Sequence, residues 1–521
     1  MSAHTDHGQQ EVIDFLADPA SWTGVDRVER LETHGNLVFL AGAEAWKIKR
    51  AVRFPYMDFS TLDKRHAACV REVEINRRFA PELYLGCVAI SRALSGGLAF
   101  GGEGGVVEWA VRLRRFEQAD LLSSIAAKGE IARDLAARLG DVVHACHERA
   151  EHADPPSGAR LIGKVVADVC EALANSEAFD FEACRRLQRD LGKCLERCAA
   201  VLDARARQGL VRRCHGDLHL ANIVLWRGQP MLYDAIEFDD AIATVDTLYD
   251  LAFLLMDLDA CGQRPAANVV LNRYLWRSRR DLDLQGLSAM PLFLALRAAV
   301  RAMVTVQRAA QESEDARRRD IARADRYFAA ALGYLGRTRP RLVAVGGLSG
   351  TGKTTLAAAL APRIGCAPGA VHLRSDLERK ALAGIGELER LPESAYGAEA
   401  RAQVYRALEQ RTRLALSAGR SVIVDAVFNG EGDRAAVEAV AAELKVSFTG
   451  IWLEADPAKL MQRVEARHND ASDATTDTVR GQLESGVGKV SPAWTRVDAG
   501  GAAGDTVQRA TAALGLDNPQ T

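Results

Sequence analysis

The segment "GLSGTGKT" at residues 347–354 restricts the fold of this chain more than any other stretch of its sequence. It follows the pattern G-x-x-x-x-G-K-[S/T], in which a glycine-rich turn joins a strand to the N-terminus of a helix. The apolar run "RLVAVG" before it is typical of a buried strand, and "TTLAAALAPRIG" after it is typical of a helix. Strand, loop and helix in this order predict a phosphate-binding cradle within a parallel α/β sheet.

The residues of this loop predict how it would bind ATP. Backbone N–H groups at the start of the helix are expected to surround the phosphates. Lys353 is expected to reach the β- and γ-phosphates, and the Thr354 hydroxyl to bind Mg²⁺. The predicted nucleotide-binding residues of the loop are Gly347, Ser349, Gly350, Thr351, Gly352, Lys353, Thr354 and Thr355.

Further apolar strands follow the loop and alternate with helical segments, which predicts a parallel sheet over 338–521. Asp376 follows the short strand in "VHLRSDLERK", which predicts a position near the acceptor of a small kinase. Asp425 ends the strand in "SVIVDAVF" and is predicted to assist Mg²⁺ binding. Arg463 and Arg467 are four residues apart, which predicts one helix face from which both close over the phosphates.

These elements are similar to the group of P-loop kinases that includes gluconate, shikimate, chloramphenicol and polynucleotide kinases. The resemblance covers residues 340–521 and implies that the aspartate at the position of Asp376 binds or deprotonates the acceptor. A polynucleotide 5′-hydroxyl kinase is one alternative for this half of the chain. The segment "RSDLERK" favours it, whereas the lack of a basic, aromatic-lined groove opposes it.

A second segment, "RCHGDLHLANIVLW" at 213–226, also has the residues of a phosphoryl-transfer loop. Phosphoryl transfer to a hydroxyl requires a group that accepts the proton and ligands for the metal ion. Asp217 is the predicted base, and Asn222 is a predicted Mg²⁺ ligand. Asp234, at the end of the next short apolar run, is the predicted second ligand. His215 is expected to brace the loop.

The segment "RCHGDLHLANIVLW" resembles the catalytic loop of the aminoglycoside phosphotransferase-like family, and this resemblance implies a phosphate-binding lysine in the strand "AWKIK". Lys47 and Lys49 lie on one face of that strand because side chains alternate with a period of two. We favour Lys49 and leave Lys47 open. A threonine caps the following helix, and the same resemblance implies that Glu72 of this helix is the partner of the lysine, with Glu74 as the alternative.

The combination of "HGDLHLAN", "LYDAIEFDD" and "DTLYDLAFLL" resembles the aminoglycoside phosphotransferase-like family, whose loop reads H-G-D-x-x-x-x-N. The resemblance covers about residues 30–335. It implies a two-lobed protein-kinase-like fold with ATP between the lobes and phosphorylation of a small-molecule hydroxyl. The chain as a whole resembles bifunctional aminoglycoside phosphotransferase-like proteins with a P-loop, AAA-family, ATP-binding part.

The chain is therefore predicted to be a multidomain α+β and α/β protein. Its expected parts are a small lobe at 1–105, a helical lobe at 106–337 and a P-loop kinase-like domain at 338–521. Complete motifs on both sides of the segment "GRTRPRL" (336–342) predict that the chain is separable there. The expected function is ATP-dependent transfer of a phosphoryl group to small-molecule hydroxyls with Mg²⁺. An alternative is that one domain is the kinase and the other an ATP-dependent regulatory module.

Composition narrows the class of partner. The formal net charge is −2 and 26% of the residues are charged, so basic residues are not in excess. This composition does not favour binding of a polyanion, and we do not expect nucleic acid as a partner. The N-terminus does not read as a secretory signal, and arginines interrupt the apolar runs, so we expect a cytoplasmic protein without a membrane segment. The ten cysteines are scattered and are expected to be buried free thiols.

Overall fold

The computed structural model describes residues 7–33, 35–54, 57–94, 96–310, 313–467 and 470–516. The strands, in chain order, are β1 Val28–Glu32, β2 Asn36–Ala41, β3 Glu44–Lys49, β4 Arg53–Phe54, β5 Met57–Asp58, β6 Tyr84–Arg92, β7 Leu98–Phe100, β8 Val106–Arg114, β9 Val211–Arg213, β10 Ile223–Trp226, β11 Gln229–Leu232, β12 Thr244–Asp246, β13 Arg341–Gly347, β14 Val371–Arg374, β15 Val422–Asp425, β16 Ser447–Glu454 and β17 Trp494–Asp498.

The α-helices, in chain order, are α1 His7–Ala17, α2 Leu62–Asn76, α3 Leu122–Lys128, α4 Arg133–Arg149, α5 Gly158–Ala174, α6 Phe181–Arg207, α7 Asp240–Ala243, α8 Thr247–Ala260, α9 Arg264–Ser278, α10 Asp281–Gly286, α11 Met290–Ala309, α12 Glu314–Tyr334, α13 Lys353–Leu360, α14 Ser375–Leu382, α15 Ala398–Ser417, α16 Glu431–Glu443, α17 Pro457–Glu465, α18 Thr476–Glu484 and α19 Ala503–Ala513.

The chain folds into two compact units. The first comprises 1–155 and 209–254, and the second comprises 156–208 and 255–521. The segment 336–342 therefore lies inside the second unit. This division groups residues by packing and does not test where each catalytic domain begins or ends, so the predicted limits stay predictions.

The sheet of the first unit has the strand order β1-β2-β3-β8-β6-β7. The predicted strand pair is confirmed, because β2 and β3 are antiparallel neighbours. Alternation along β3 divides its side chains between two cores. Trp46 and Ile48 pack on one face of the sheet, whereas Ala45 packs with Val73 of helix α2 on the other. By the same alternation, the two lysines of β3 face α2.

Helix α2 begins where the sequence predicts it. The side chain of Thr61 accepts a hydrogen bond from the N–H of Lys64 (3.4 Å) and so caps the helix. Cys69 and Val73 of α2 are buried against the sheet. This packing fixes the face of α2 that the lysines approach.

The sheet of the second unit has the order β14-β15-β13-β16-β17, and every neighbouring pair is parallel. The predicted parallel α/β sheet is thus confirmed. Val343 and Val345 of β13 pack against Leu356 and Leu360 of α13 in one core. The carboxyl ends of β13, β14 and β15 lie side by side, which brings the loop after each strand to one edge of the sheet.

Helix α9 covers the outer edge of strand β14. The Asn268 amide donates to the carbonyl of Ala370 (3.0 Å), and Asn272 Oδ1 accepts from the backbone N–H of His372 (2.7 Å). One residue past α9, Arg279 lies at 2.8 and 2.6 Å from the two carboxylate oxygens of Glu378 in α14. Side chains of α9 therefore occupy the backbone groups that a further strand would otherwise use.

Among the described residues, the helical run Asp281–Ala309 has the length and apolar composition of a membrane-spanning helix. Within its most apolar window, 67% of the residues are buried inside the fold, as in the core helix of a soluble protein.

Candidate active sites

Lys47 links three elements of the first unit. Its ammonium group lies 3.0 Å from Glu72 Oε1 on α2 and 2.7 Å from Asp234 Oδ1, which follows β11. The side chain of Asp234 is 42% exposed, so this end of the triad is open to solvent. The arrangement brings a cation and a carboxylate together at a solvent-accessible position, as binding of a metal-bound phosphate requires.

Lys49 is wholly buried and makes a different set of contacts. It lies 2.6 Å from Glu72 Oε2 and also forms an ion pair with Glu237. Its ammonium group is 5.3 Å from the centre of the Phe59 ring. Glu72 therefore holds both lysines, and Glu74 of the same helix instead pairs with Arg71 on the surface.

The electrostatics of this cluster follow from burial and from opposite charges. Burial alone would lower the pKa of Lys47, but Asp234 and Glu72 outweigh it and raise that pKa well above its ordinary value. Burial opposes ionisation of Glu72, yet the two ammonium groups lower its pKa to about 2. Lys47 and Glu72 are therefore both charged at neutral pH.

The backbone at Asp234 is strained and is held by the first-unit sheet and α2. Asp234 has φ of +58°, which a residue with a side chain rarely adopts. Its N–H donates to the Tyr84 hydroxyl (3.2 Å), and the N–H of Ala235 donates to Asn76 Oδ1 (2.8 Å). Such strain persists only where surrounding contacts enforce it, and it is frequent at active sites. Tyr84 and Asn76 have no motif that marks them in the sequence.

The loop between β9 and β10 brings Asp217 and Asn222 together. The Asn222 amide donates to Asp217 Oδ2 (2.9 Å) and to the carbonyl of the same residue (3.0 Å). His219 Nε2 lies 3.2 Å from Asp217 Oδ2. The Asp217 side chain is still 38% exposed, which leaves it accessible to a substrate hydroxyl.

His215 braces this loop, as its predicted role requires. It is 1% exposed, and its Nε2 lies 2.9 Å from the carbonyl of Tyr233. Burial lowers its pKa, so the ring is neutral at neutral pH. Asp250 accepts the N–H groups of His215 (3.3 Å) and Gly216 (2.9 Å) and lies 3.1 Å from His147 Nε2. The hydrogen bonds of Asp250 therefore fix the loop. Possible metal-ligand atoms lie within 4.8 Å of one another on Asp250, His147 and Cys214.

In the second unit, the 347–354 loop has the conformation that its glycines predict. Gly350 and Gly352 have φ of +86° and +87°, where a side chain would be strained. A Cβ atom at Gly350 would also lie 2.6 Å from the carbonyl oxygen of Leu460. The loop ends at the N-terminus of α13, so its N–H groups converge at a site suited to phosphate.

Lys353, Thr354 and Asp425 meet at the carboxyl edge of the sheet. The Thr354 hydroxyl donates to Asp425 Oδ2 (2.5 Å), and Lys353 Nζ donates to the carbonyl of Leu348 (3.1 Å). Burial raises the pKa of Asp425, but the His372 ring, Lys353 and other cations reverse this and lower it. Burial lowers the pKa of Lys353.

Asp376 lies in the first turn of α14, close to the same cations. Burial and the neighbouring charge of Asp425 raise the pKa of the Asp376 carboxyl, and Lys353 and Arg374 only partly oppose this. A carboxyl with a raised pKa beside the lysine of a P-loop motif is suited to accept a proton from a hydroxyl.

The prediction that Arg463 and Arg467 share one helix face is wrong, because α17 ends at Glu465. The Arg463 guanidinium donates to the carbonyls of Ala499 (2.8 Å) and Gly501 (3.1 Å). Arg467 lies past the end of the helix and acts electrostatically on Lys353.

Sequence reasoning also missed residues that contact the loop. Gln482 of α18 accepts the N–H of Ser349 (2.8 Å) and donates to the Ser349 hydroxyl (3.1 Å). His372 lies 3.7 Å from Asp425. Neither residue belongs to a motif, so only the fold places them here. The cysteines are free thiols, as predicted, and six of them are buried, but Cys87, Cys170 and Cys366 are only partly buried and Cys261 is exposed.

Comparison with known families agrees with this division of sites. A model of the phosphotransferase enzyme family matches residues 34–284, and a model of an AAA domain matches residues 342–486. The protein Rv2004c of Mycobacterium tuberculosis (strain ATCC 25618 / H37Rv), described as uncharacterized, is 30% identical over 455 residues. That match covers 86% of this chain and 87% of the relative.

Solved structures are similar to parts of the chain. A choline/ethanolamine kinase family protein from Mesorhizobium loti is 15% identical, with a TM-score of 0.36, over 62% of this chain and 99% of that one. A gluconokinase from Sinorhizobium meliloti 1021 is 21% identical, with a TM-score of 0.26, over 34% of this chain and 94% of that one.

Proposed function

Because the chain belongs to the same family as Rv2004c of Mycobacterium tuberculosis and joins a phosphotransferase-family domain to an AAA domain, we propose that it is an enzyme with two ATP sites. Each site transfers the γ-phosphoryl group of ATP to a hydroxyl of a small molecule. The proposal includes Mg²⁺ at both sites and a cytoplasmic location, where ATP is supplied.

The observation that supports this best is the triad of Lys47, Glu72 and Asp234. A strand lysine held by a helix glutamate and directed at a loop aspartate is the arrangement that positions ATP phosphates in kinases. We assign phosphate binding to Lys47 rather than to the favoured Lys49. Lys49 is wholly enclosed and paired with Glu237, so it serves to hold Glu72 in place.

Lys47→Ala and Lys49→Ala test this assignment in the first site. The first variant removes the cation that faces the phosphates, so ATP affinity at this site should fall. The second should lower stability more than ATP affinity. Equilibrium binding of ATP and thermal unfolding, measured on both variants, separate the two roles. If both variants lose the same ATP affinity and have the same stability, the assignment of phosphate binding to Lys47 is contradicted.

In the first site Asp217 would accept the proton of the acceptor hydroxyl. Asn222 directs its amide nitrogen to Asp217, which leaves its carbonyl oxygen for a cation. That oxygen and the half-exposed carboxylate of Asp234 are hard oxygen donors of the kind that Mg²⁺ prefers. These donors fit a magnesium ion.

In the second site Lys353 would hold the β- and γ-phosphates, and Arg467 would add positive charge over them. The contact between Thr354 and Asp425 presents a hydroxyl and a carboxylate together, which also fits Mg²⁺. Bound Mg²⁺ would neutralise charge on the phosphate oxygens at either site. Asp376 would accept the proton from the acceptor. Because Arg463 is directed to backbone carbonyls, we do not include it.

Transfer from labelled ATP to a metabolite extract tests the function. The full chain is compared with Asp217→Asn, with Lys353→Ala and with the double variant. We expect each single variant to lose a different set of labelled products and the double variant to lose all of them. Wild-type labelling in the double variant would refute the proposal.

The same experiment examines the alternative in which one domain regulates the other. In that case Lys353→Ala would abolish the products that depend on Asp217 as well. The binding of ATP to the second site would then control the first site instead of supplying a second reaction.

A further inference from the structure

Arg374 lies in the second candidate site but has no part in the function proposed above. It ends strand β14, where it is the register partner of Asp425. Its charge acts on both Asp425 and Asp376. Its side chain is only 12% exposed. A guanidinium that is largely shielded from solvent thus lies beside the proposed base and the proposed metal-binding residue.

The hydrogen-bonding capacity of Arg374 is unused among the described residues. Its Nη1 is 3.7 Å from Glu387 Oε1, and its Nη2 is 3.7 Å from Asp470 Oδ1. Both distances exceed the range of a hydrogen bond. The buried Nε also lacks a hydrogen-bond partner. A guanidinium has five N–H donors, and leaving buried donors unsatisfied is unfavourable.

The two nearby carboxylates have closer partners of their own. Glu387 forms a short ion pair with Arg273. Asp470 lies 3.4 Å from Arg467 Nε, and it accepts the N–H of Ser472 at 3.2 Å. Arg374 is therefore held by charge alone, and its N–H donors make no hydrogen bond to a described residue and are available for a ligand.

We propose that Arg374 binds an anionic oxygen group of the acceptor, such as a carboxylate, phosphate or sulfate, beside the hydroxyl that Asp376 deprotonates. The inference rests on the proposed function of this site and specifies its substrate as a small hydroxylated anion. A planar guanidinium suits this role because it binds oxyanions through two parallel hydrogen bonds. The γ-phosphoryl group of ATP offers the same chemistry, so the test must distinguish the two sources.

The test uses inorganic sulfate as the probe and the full chain as the protein. Sulfate is titrated by calorimetry in the presence of Mg²⁺ and saturating β,γ-imido-ATP, a non-hydrolysable analogue that fills the γ-phosphate position. We expect wild-type protein to bind sulfate and Arg374→Gln to bind it at least about tenfold more weakly, as for loss of a charge-assisted hydrogen bond. The sulfate affinity of Arg374→Lys should be intermediate, because lysine keeps the positive charge but cannot form the two parallel hydrogen bonds of a guanidinium.

Arg390→Gln is the matched control, since Arg390 is exposed on the nearby 383–397 segment. It removes the same charge and should leave sulfate affinity unchanged. Equal sulfate affinity in Arg374→Gln and wild type would overturn the inference, as would the absence of sulfate binding with the analogue bound. Sulfate binding only when ADP replaces the analogue would also overturn it, because Arg374 would then serve the γ-phosphoryl group.

Binding of the analogue alone separates this inference from the proposed function. It is measured first in wild type, in Lys353→Ala and in Arg374→Gln. If Lys353→Ala binds the analogue as wild type does, the proposed nucleotide site itself fails. If Lys353→Ala loses one site and Arg374→Gln retains both, the sulfate result tests the acceptor alone.

Discussion

Replacement of Glu72 by glutamine removes a carboxylate that pairs with both lysines of strand β3. Glu72 is completely buried, and the lysines lower its pKa from an ordinary 4.5 to about 2. A shift of this size corresponds to about 3 kcal/mol of stability at neutral pH. Breaking a buried ion pair by removing one partner typically destabilises by about 3–5 kcal/mol. We therefore expect Glu72→Gln to destabilise the local structure by about 3 kcal/mol.

Hydrogen exchange followed by mass spectrometry measures this change within the intact chain. Amides of β3 and α2 should exchange about 100-fold faster in the variant at pH 7, which is the factor for about 3 kcal/mol. Amides of β13 in the second unit should exchange at the wild-type rate and so provide an internal reference. ATP affinity at the first site should fall as well, because Lys47 loses its support.

Glu74→Gln is the matched control on the same helix. Glu74 is 57% exposed and lies 3.4 Å from Arg71, so its loss should change stability by less than about 0.5 kcal/mol. The Glu72 carboxylate has a lowered pKa, so its contribution is complete above about pH 4.5 and is lost as the pH falls toward about 2. The difference between wild type and Glu72→Gln should shrink over that range. Equal exchange in both glutamine variants would refute the reasoning.

Three further predictions concern the two sites. Asp217→Asn should abolish transfer at the first site while largely preserving ATP affinity, whereas Asp234→Ala should weaken Mg²⁺-dependent ATP binding; equal losses of affinity would count against separate roles. Lys353→Ala should abolish nucleotide turnover at the second site, because it removes several kcal/mol of transition-state stabilisation. Assays with labelled ATP measure this turnover. Asp376→Asn should abolish transfer there but raise thermal stability at pH 7. The raised pKa means that the folded state favours the neutral carboxyl, so stability is lost as the pH rises through that pKa, and an asparagine, which stays neutral, avoids this loss. An unchanged or lower melting temperature would contradict this.

Both phosphate-handling segments could be identified from sequence because each is a local arrangement. The 347–354 loop needs only its own glycines and the flanking strand and helix, and those elements are present as predicted. The strand pair around Lys47 and the capped helix with Glu72 were predictable for the same reason. In each case the residues that form the sequence motif are neighbours in the chain and also form the local structure, so the motif predicts that structure.

Other features depend on contacts between distant segments. Alternation along β3 places Lys47 and Lys49 on one face, and the positions of Asp234 and Glu237 distinguish them. A spacing of four predicts a shared helix face for Arg463 and Arg467 only while the helix continues, and α17 ends between them. The segment "RSDLERK" contains Arg374 but does not show that its Nε has no hydrogen-bond partner among the described residues, because this depends on the neighbouring strands and loops.

Asn268 and Asn272 of helix α9 bear on whether the two coding regions of the gene can be separated. They occupy the outer backbone groups of β14, yet α9 lies within the segment that matches the phosphotransferase family. A polypeptide that began at residue 338 would expose β14 as an open sheet edge, and such edges promote aggregation. The sequence motifs predict that the chain is separable at 336–342, but this contact argues against it: we expect that splitting the reading frame near 338 would yield an insoluble C-terminal product. Selection for solubility would then keep the two coding regions fused, whatever their acceptors are.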